Sequence, residues 1–236
     1  MALHLLDPST LFLALIGSVV PAVIWLFFWI REDSEHPEPR GLIIIAFIAG
    51  ILSVIPTFLL EEIANNMYHA NNLIHSQEDL YAVWAAIEEL MKFSAAFLVA
   101  LDTRFYDEPI DAIIYLIVVA LGFAAAENFL FMAGSGDLVA GFLTGSMRFV
   151  GATLLHTLAS SMIGISLAVA FNLSKLSKLV YLAIGIFTAV LLHTSFNIFI
   201  VQDNGSGIAP VFISLWMAII LLLVFFEKLK LEDIYN

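Results

Sequence analysis

The sequence predicts an all-α fold, a polytopic transmembrane bundle of about seven to eight helices. Hydrophobic residues make up 61% of the 236 residues and charged residues only 13%. The mean hydropathy of +0.99 lies far above that of soluble domains. The apolar residues also form long runs, and about 20 of them in a row are enough to cross the hydrocarbon core of a bilayer. Composition and run length therefore both indicate a membrane protein.

Seven apolar runs predict the individual spans. Their approximate bounds are 10–30, 41–60, 80–101, 110–133, 142–171, 178–200 and 208–226. The fifth run is too long for one upright helix, so it either begins with an interfacial turn or re-entrant piece near Val139 to Ser146, or tilts strongly. We find neither a soluble domain nor a sequence repeat. We expect one membrane-embedded domain over 1–236, with a motif-bearing core at about 80–200.

The basic residues predict the orientation of the bundle. Outside the predicted spans, every Lys and Arg lies in the first, third or fifth loop or in the C-terminal tail. Seven alternating spans put all of these positions on one side. Basic loops stay on the cytoplasmic side, so we expect the N-terminus outside and the C-terminus inside. The second loop, Glu61 to Asp79, would then lie outside as a solvated connector or, alternatively, as a surface helix or lid.

The third run carries charges where a membrane helix is normally apolar. Glu88, Glu89 and Lys92 lie near its middle, and each charge there costs at least about 2.5 to 3.5 kcal/mol on insertion scales. Glu88 and Lys92 are four residues apart and share a helix face, so one interpretation is a pair that only stabilises packing. Glu89 points about 100° away and needs a partner from another helix or from water. We favour a functional role.

Three later spans each add a polar group at a similar depth. At about 1.5 Å per residue, Glu89, Glu127, His156 and His193 all lie in one layer in the outer half of the membrane. Helices with independent polar residues would scatter them over the full thickness. The pattern predicts a shared site, to which Ser160 and Asn197, one turn after the two histidines, also belong.

Two kinds of hydrolytic chemistry fit these residues. In the first, Glu127, His156 and His193 hold a divalent metal, most simply zinc, and Glu88 or Glu89 acts as general base. The spare glutamate is an alternative ligand. In the second, a glutamate activates water without metal, while His193 and Asn197 donate hydrogen bonds to the oxyanion. The residues alone leave both mechanisms open.

Four short motifs resemble those of the PrsW family of intramembrane proteases. They are, in chain order, Glu88-Glu89-x-x-Lys92, Phe123-x-x-x-Glu127-Asn128, the segment beginning at His156, and His193-x-x-x-Asn197. The resemblance runs from about Trp84 to Asn197. It implies a glutamate-dependent peptidase, classed as a metallopeptidase, in which the paired glutamates and a histidine are essential. It also implies that some members cut membrane-anchored anti-sigma factors on the extracytoplasmic side.

The PrsW family is related to the CAAX prenyl endopeptidase and bacteriocin self-immunity group. That group has the pattern Glu-Glu-x-x-x-Arg, Phe-x-x-x-His and His-x-x-x-Asn. Here the basic residue comes one position earlier, as Lys92, and Glu127 stands where the group has histidine. These departures are the PrsW form, and they argue against prenyl-protein processing.

Two further residues have supporting roles in this interpretation. Asn128 either orients the Glu127 carboxylate or makes an interhelical contact. Arg148 either extends to the lipid head groups or grips a substrate carbonyl or carboxylate.

The predicted function is cleavage of a membrane-anchored protein near the extracytoplasmic face of a prokaryotic inner membrane. The expected partners are that protein and the lipid bilayer, without nucleic acid. Two alternatives are a proton-coupled transporter, because buried Glu, His and Lys also form proton relays, and a non-catalytic immunity or scaffold protein. The lack of an evident inverted repeat argues against the transporter.

Overall fold

The computed structural model describes residues 8–32, 37–70, 73–134, 138–202 and 208–234. Within these ranges the side chains of 9–10, 138–150, 200–202, 208–209 and 230–234 are not described. The described chain contains seven α-helices, and six of them are long and apolar enough to cross a membrane. This confirms the predicted all-α membrane bundle.

The helices match the predicted spans in number and order. They are α1 Pro8–Glu32, α2 Arg40–His69, α3 Gln77–Ala96, α4 Asp111–Gly134, α5 Leu138–Val169, α6 Lys175–Gln202 and α7 Ile208–Ile234. A π-helical turn, Phe97–Leu101, extends α3. The helix that falls short of the composition expected of a span is α3, since charged residues interrupt its apolar sequence.

Helix α4 lies at the centre of the bundle, with 78% of its most apolar segment buried. It packs against α2 at a point where neither helix has a side chain. A Cβ atom on Gly122 would lie 2.0 Å from the Phe47 carbonyl oxygen, and one on Gly50 would lie 2.0 Å from that of Val119. Small residues of this kind let membrane helices approach closely. The contact fixes the position of α4, which carries Phe123 and Glu127.

Helix α3 begins with a capping box that fixes where its charged residues lie. The Ser76 hydroxyl accepts a hydrogen bond from the Asp79 backbone N–H at 3.0 Å, and the Asp79 carboxylate accepts one from the Ser76 N–H at 3.1 Å. Two amide groups that a helix N-terminus leaves unpaired are thereby satisfied. Glu88 and Glu89 follow about three turns after the start of the helix, and Lys92 one turn later.

The ends of the helices are consistent with the predicted orientation. The last turn of α1 carries Arg31, α2 begins at Arg40, and α6 begins at Lys175. With all seven helices crossing the membrane in alternating directions, as the sequence predicts, these ends lie on one side of the bundle. The positive-inside rule makes that side cytoplasmic.

Two boundaries differ from those expected. Helix α5 is continuous over 32 residues, so the predicted turn or re-entrant piece near Val139 to Ser146 was wrong. Helix α2 continues to His69, about nine residues beyond the predicted end of the second span. Most of the expected outer loop is therefore helical, and Glu61 and Glu62 lie on α2. Apolar residues after this Glu pair, such as the buried Ala64, continue the helix pattern.

Candidate active site

Helix α3 directs three charged side chains into the bundle rather than toward lipid. Glu89 and Lys92 are fully buried, and Glu88 is 6% exposed. The Lys92 ammonium donates hydrogen bonds to Glu89 Oε1 at 2.7 Å and to Glu88 Oε2 at 3.3 Å. One cation thus lies between two adjacent carboxylates. This arrangement lowers the cost of burying three charges.

Glu89 has the partners on other helices that its position on α3 requires. Its Oε2 accepts a hydrogen bond from the Ser160 hydroxyl of α5 at 2.8 Å. Its Oε1 lies 2.9 Å from His193 Nδ1 on α6. An ionised carboxylate only accepts hydrogen bonds, so His193 Nδ1 carries the proton of this contact. Glu89 therefore orients His193 and links three helices.

His156 is held by charged groups on both of its ring nitrogens. Its Nε2 lies 2.7 Å from Glu127 Oε2, and its Nδ1 lies 2.7 Å from the Lys92 ammonium. The carboxylate requires a donor at Nε2, which leaves the Nδ1 lone pair to accept from Lys92. Phe123 packs edge-on against His156, with ring centroids 5.4 Å apart, and lies 4.4 Å from the Lys92 ammonium. The ring orientation of His156 is thereby fixed.

Glu88 and the two histidines converge on one point. Glu88 Oε2 lies 3.7 Å from His156 Nδ1 and 3.8 Å from His193 Nε2. The three ligand atoms lie within 4.8 Å of one another. The imidazole rings are 5.1 Å apart and nearly perpendicular. The predicted layer of polar groups is thus one contiguous cluster from α3, α4, α5 and α6.

A cavity of about 190 Å³ opens onto this cluster. Glu88, Glu127, His156, His193 and Asn197 contribute to its wall. The Glu127 side chain is 37% exposed, against 8% for Glu88 and 0% for Glu89. Of the adjacent glutamates on α3, Glu88 therefore lines the cavity and Glu89 is fully buried behind it.

Asn128 and Arg148 are the two residues to which the sequence analysis gave supporting roles. Asn128 lines the cavity and its Nδ2 donates a long hydrogen bond of 3.4 Å to the Thr153 hydroxyl of α5. This is an interhelical contact, one of the two roles considered for Asn128. Arg148 lies on α5, but its side chain is outside the described part of the chain.

Glu61 is a cavity residue that the sequence analysis assigned to an outer loop. It lines the cavity from α2, together with Tyr81 and Trp84 of α3. Its position on a helix face explains this. Thr57 and Ala64, four residues before and three residues after Glu61, are both buried, so Glu61 shares their face. Continuing the helix pattern of α2 past residue 60 would have found it.

The residues at the convergence point fit a divalent metal ion. One carboxylate oxygen and two imidazole nitrogens from Glu88, His156 and His193 form a donor set typical of catalytic zinc sites. The other nitrogen of each ring bonds a carboxylate, Glu127 for His156 and Glu89 for His193. Such carboxylate partners orient histidine ligands in metal sites. The sequence analysis expected Glu127 beside the two histidines and gave the spare glutamate of the Glu88–Glu89 pair as an alternative ligand. In the structure Glu88 joins the two histidines in this group, and Glu127 bonds the other nitrogen of His156.

Several known proteins related to this chain are named Protease PrsW. A Protease PrsW of Geobacillus kaustophilus is 28% identical over 121 residues, which cover 51% of this chain and 52% of that protein. The Protease PrsW of Shouchella clausii is 24% identical over 86% of this chain and 91% of its own length. That of Bacillus subtilis is 23% identical over 87% of this chain and 92% of its own. No solved structure matches this chain.

A family model matches most of the chain. The matched residues, 38–225, include every helix that contributes to the buried cluster. The model is described as that of PrsW family intramembrane metalloproteases. The chain thus belongs to the PrsW family, and it is a multi-pass membrane protein of the intramembrane protease class.

Proposed function

We propose that this protein hydrolyses a peptide bond of a membrane-anchored protein, using water activated between Glu88 and the two buried histidines. The observation that carries the proposal is the convergence of Glu88 Oε2, His156 Nδ1 and His193 Nε2 at the wall of a cavity. We also propose that residues 1–236 form one protease domain and that the protein lies in a prokaryotic inner membrane.

Glu88 is the base in this proposal because its geometry leaves room for water. Its Oε2 is 3.8 Å from His193 Nε2, too far for a direct hydrogen bond. A single water between the two atoms can donate to both. When its oxygen attacks the substrate carbonyl carbon, Glu88 takes a proton. Glu88 later returns this proton to the amide nitrogen as the carbon–nitrogen bond breaks, giving a carboxyl group and an amine.

His193 contributes through the direction of its ring. Glu89 accepts from Nδ1, so Nε2 presents a lone pair toward Glu88 and the cavity. In the neutral ring that nitrogen accepts from water or binds a metal, and does not donate to an oxyanion. Asn197, which also lines the cavity, has an amide that can donate to the developing negative charge.

In the alternative with a divalent metal, zinc in the simplest case, Glu88, His156 and His193 would hold the ion, and Glu88 would be a ligand rather than the base. The ion would supply Lewis acidity and an acidified water. Lys92 now bonds His156 Nδ1 at 2.7 Å. His156 Nδ1 could therefore bind a metal only after the Lys92 ammonium has moved away from it. Glu127 and Glu89 would keep orienting the two rings.

The depth of the cluster supports cleavage near the extracytoplasmic face. Glu127 lies 16 residues after the cytoplasmic start of α4, which is about 24 Å along a helix of about 35 Å. His193 lies 18 residues after the start of α6, about 27 Å along a helix of about 40 Å. Both lie in the outer half. We propose a membrane-anchored anti-sigma factor, the substrate class that the family resemblance implies.

Cleavage of a membrane-anchored reporter by purified protein in liposomes tests this proposal. We expect the parent protein to cut the reporter near its outer membrane boundary, as located by mass spectrometry of the products. The Glu88→Gln variant should lose this activity, whereas Glu62→Gln, an exposed carboxylate on α2, should retain it. Undiminished cleavage by Glu88→Gln would overturn the assignment. Solute uptake without cleavage would instead support the transporter.

A further inference from the structure

Glu61 brings to the cavity a carboxylate that no neighbouring side chain pairs with. Its side chain lines the cavity from α2 and is half-buried. Among the described residues, none forms a hydrogen bond or an ion pair with it. The sequence has no Lys or Arg between Arg40 and Lys92, so neither α2 nor the segment that leads into α3 supplies a cation. An ionisable group in a membrane helix normally has a partner, and Glu61 lacks one.

The cavity wall around Glu61 carries an excess of negative charge within the described part of the chain. Three carboxylates line it, those of Glu61, Glu88 and Glu127. Glu61 is close enough to the other two for their like charges to repel. Lys92 is the cation of the buried cluster, but it is fully buried and already donates to Glu88 and Glu89. A cavity lined in this way attracts a cationic group.

One face of α3 leads from the extracytoplasmic end of the helix to Glu88. Gln77, Tyr81, Trp84 and Glu88 follow one another at intervals of four, three and four residues, so they form a single stripe about 16 Å long. The last three of them line the cavity. Gln77 Nε2 donates a hydrogen bond of 2.7 Å to the Tyr81 hydroxyl. A peptide chain that enters at the start of α3 therefore passes the two aromatic rings before it reaches Glu88.

Trp84 adds a second polar group without a partner. Its indole Nε1 is buried, and no described residue accepts a hydrogen bond from it. The Trp84 and Tyr81 rings lie 5.9 Å apart, and aromatic faces attract cations. A peptide with a basic side chain supplies both a cation for Glu61 and carbonyl oxygens that can accept from Trp84. A bound metal ion supplies only the charge, and water supplies only hydrogen bonds.

We propose that Glu61 binds a lysine or arginine side chain of the protein substrate, close to the bond that is cut. This inference rests on the proposed function, because it concerns the substrate of the same cavity. The substrate class is then a membrane-anchored protein with a basic residue at its extracytoplasmic membrane boundary. The ion pair with Glu61 determines which chains the cavity accepts, and it positions the neighbouring peptide bond at Glu88.

Binding measurements test this subsite without requiring catalysis. The protein is the Glu88→Gln variant in liposomes, which leaves the probes intact, and fluorescence energy transfer reports binding. The probes are synthetic single-pass transmembrane peptides, each with one lysine at a different position across its outer boundary, and the same peptides with glutamine instead. We expect one lysine position to bind about tenfold more tightly than its glutamine counterpart, because a charged hydrogen-bonded pair forms with Glu61.

Variants at positions 61 and 62 assign the preference to one carboxylate. Glu61→Gln should abolish the preference for lysine and leave the affinity for the glutamine peptide unchanged, which also shows that the variant is folded. Glu62→Gln removes the same charge from an adjacent exposed position and should keep the preference. Glu61→Lys should instead favour a peptide with glutamate at that position. A preference that survives Glu61→Gln, or equal binding of all peptides, would overturn the proposal.

Cleavage kinetics separate a specificity residue from a generally required one. Glu61→Gln should lower kcat/KM by about tenfold for a reporter with lysine at the preferred position and leave it unchanged for the glutamine reporter. Equal losses for both reporters would overturn the subsite. So would loss of bound zinc from Glu61→Gln with an unchanged preference for lysine, since Glu61 would then serve a metal. Failure of the parent protein to cut any reporter would count against the proposed function alone, because the binding measurements do not depend on cleavage.

Discussion

The Glu89 carboxylate of α3 accepts a hydrogen bond from His193 Nδ1 of α6 at 2.9 Å, across 104 residues of sequence. This bond fixes which nitrogen of His193 faces the cavity. It also gives a hydrogen-bond partner to Glu89, which is fully buried, whereas the adjacent Glu88 reaches the cavity. The two adjacent carboxylates therefore have different surroundings, since Glu88 lines the cavity and Glu89 bonds groups on α3, α5 and α6.

Replacing each glutamate by glutamine tests the roles proposed for them, Glu88 as the base and Glu89 as the partner that orients His193. We expect Glu88→Gln to lower kcat for reporter cleavage by about 10²- to 10⁴-fold, because an amide cannot take the water proton. Glu89→Gln should cost about 10- to 100-fold, the usual effect of removing a carboxylate that orients a histidine. Steady-state kinetics in liposomes measures both. A larger loss for Glu89→Gln than for Glu88→Gln would reverse the assignment.

Metal content distinguishes the two possible ligand sets. If Glu88, His156 and His193 hold the ion, Glu88→Gln should lose the metal. Glu127→Gln should retain it with an affinity lower by about 10- to 100-fold, because Glu127 acts through His156. Elemental analysis of the purified variants, with titration against a chelator, makes the comparison. Loss of metal from Glu127→Gln alone would restore the ligand set expected from sequence, and full activity of metal-free protein would favour the glutamate mechanism.

Lys92 is expected to stabilise the fold as well as the site. Lys92→Met leaves two adjacent buried carboxylates without their cation, and breaking a buried ion pair in this way typically costs about 3 to 5 kcal/mol. Thermal unfolding in detergent should show a clearly lower Tm than for Lys175→Met, which alters an exposed lysine.

The double variant Glu89→Gln with Lys92→Met tests the cause of that loss. It removes one negative charge together with the positive one, so it should recover part of the lost Tm. No recovery would mean that Lys92 stabilises the bundle through packing, for example against Phe123, rather than through its charge.

The close contact between α2 and α4 predicts a steric effect at Gly122. A methyl group there would meet the Phe47 carbonyl oxygen at 2.0 Å, so Gly122→Ala must push the helices apart, at a cost of about 1 to 3 kcal/mol. Gly41→Ala is the matched control, because a Cβ atom at Gly41 has no neighbour within 4 Å. Thermal unfolding should show a lower Tm for Gly122→Ala only. Equal Tm values would contradict the contact.

Local sequence was sufficient to predict the helices and the polar residues of the site. Hydrophobic run length depends only on neighbouring residues, so the spans and their order were predicted correctly. The motifs also pointed to the residues that meet in the cluster, because a buried charge such as Glu89 stands out in an apolar run. The ends of the helices were predicted less accurately, as the continuation of α2 to His69 shows. The turns of α2 beyond the apolar run are amphipathic, so their mean hydropathy is too low to mark them as part of the span.

The rotation of each helix about its own axis was decided by the tertiary structure alone. Depth along a helix follows from counting residues, but which way a side chain faces depends on packing against other helices, such as the approach of α2 to α4 at Gly122. That packing turns Glu88 toward the cavity and Glu89 away from it, and it places the Glu127 carboxylate against His156 Nε2. It also brings Glu61 to the wall of the cavity that Glu88, His156 and His193 line. Sequence thus determined which residues share a layer of the membrane, and helix packing determined which of them touch.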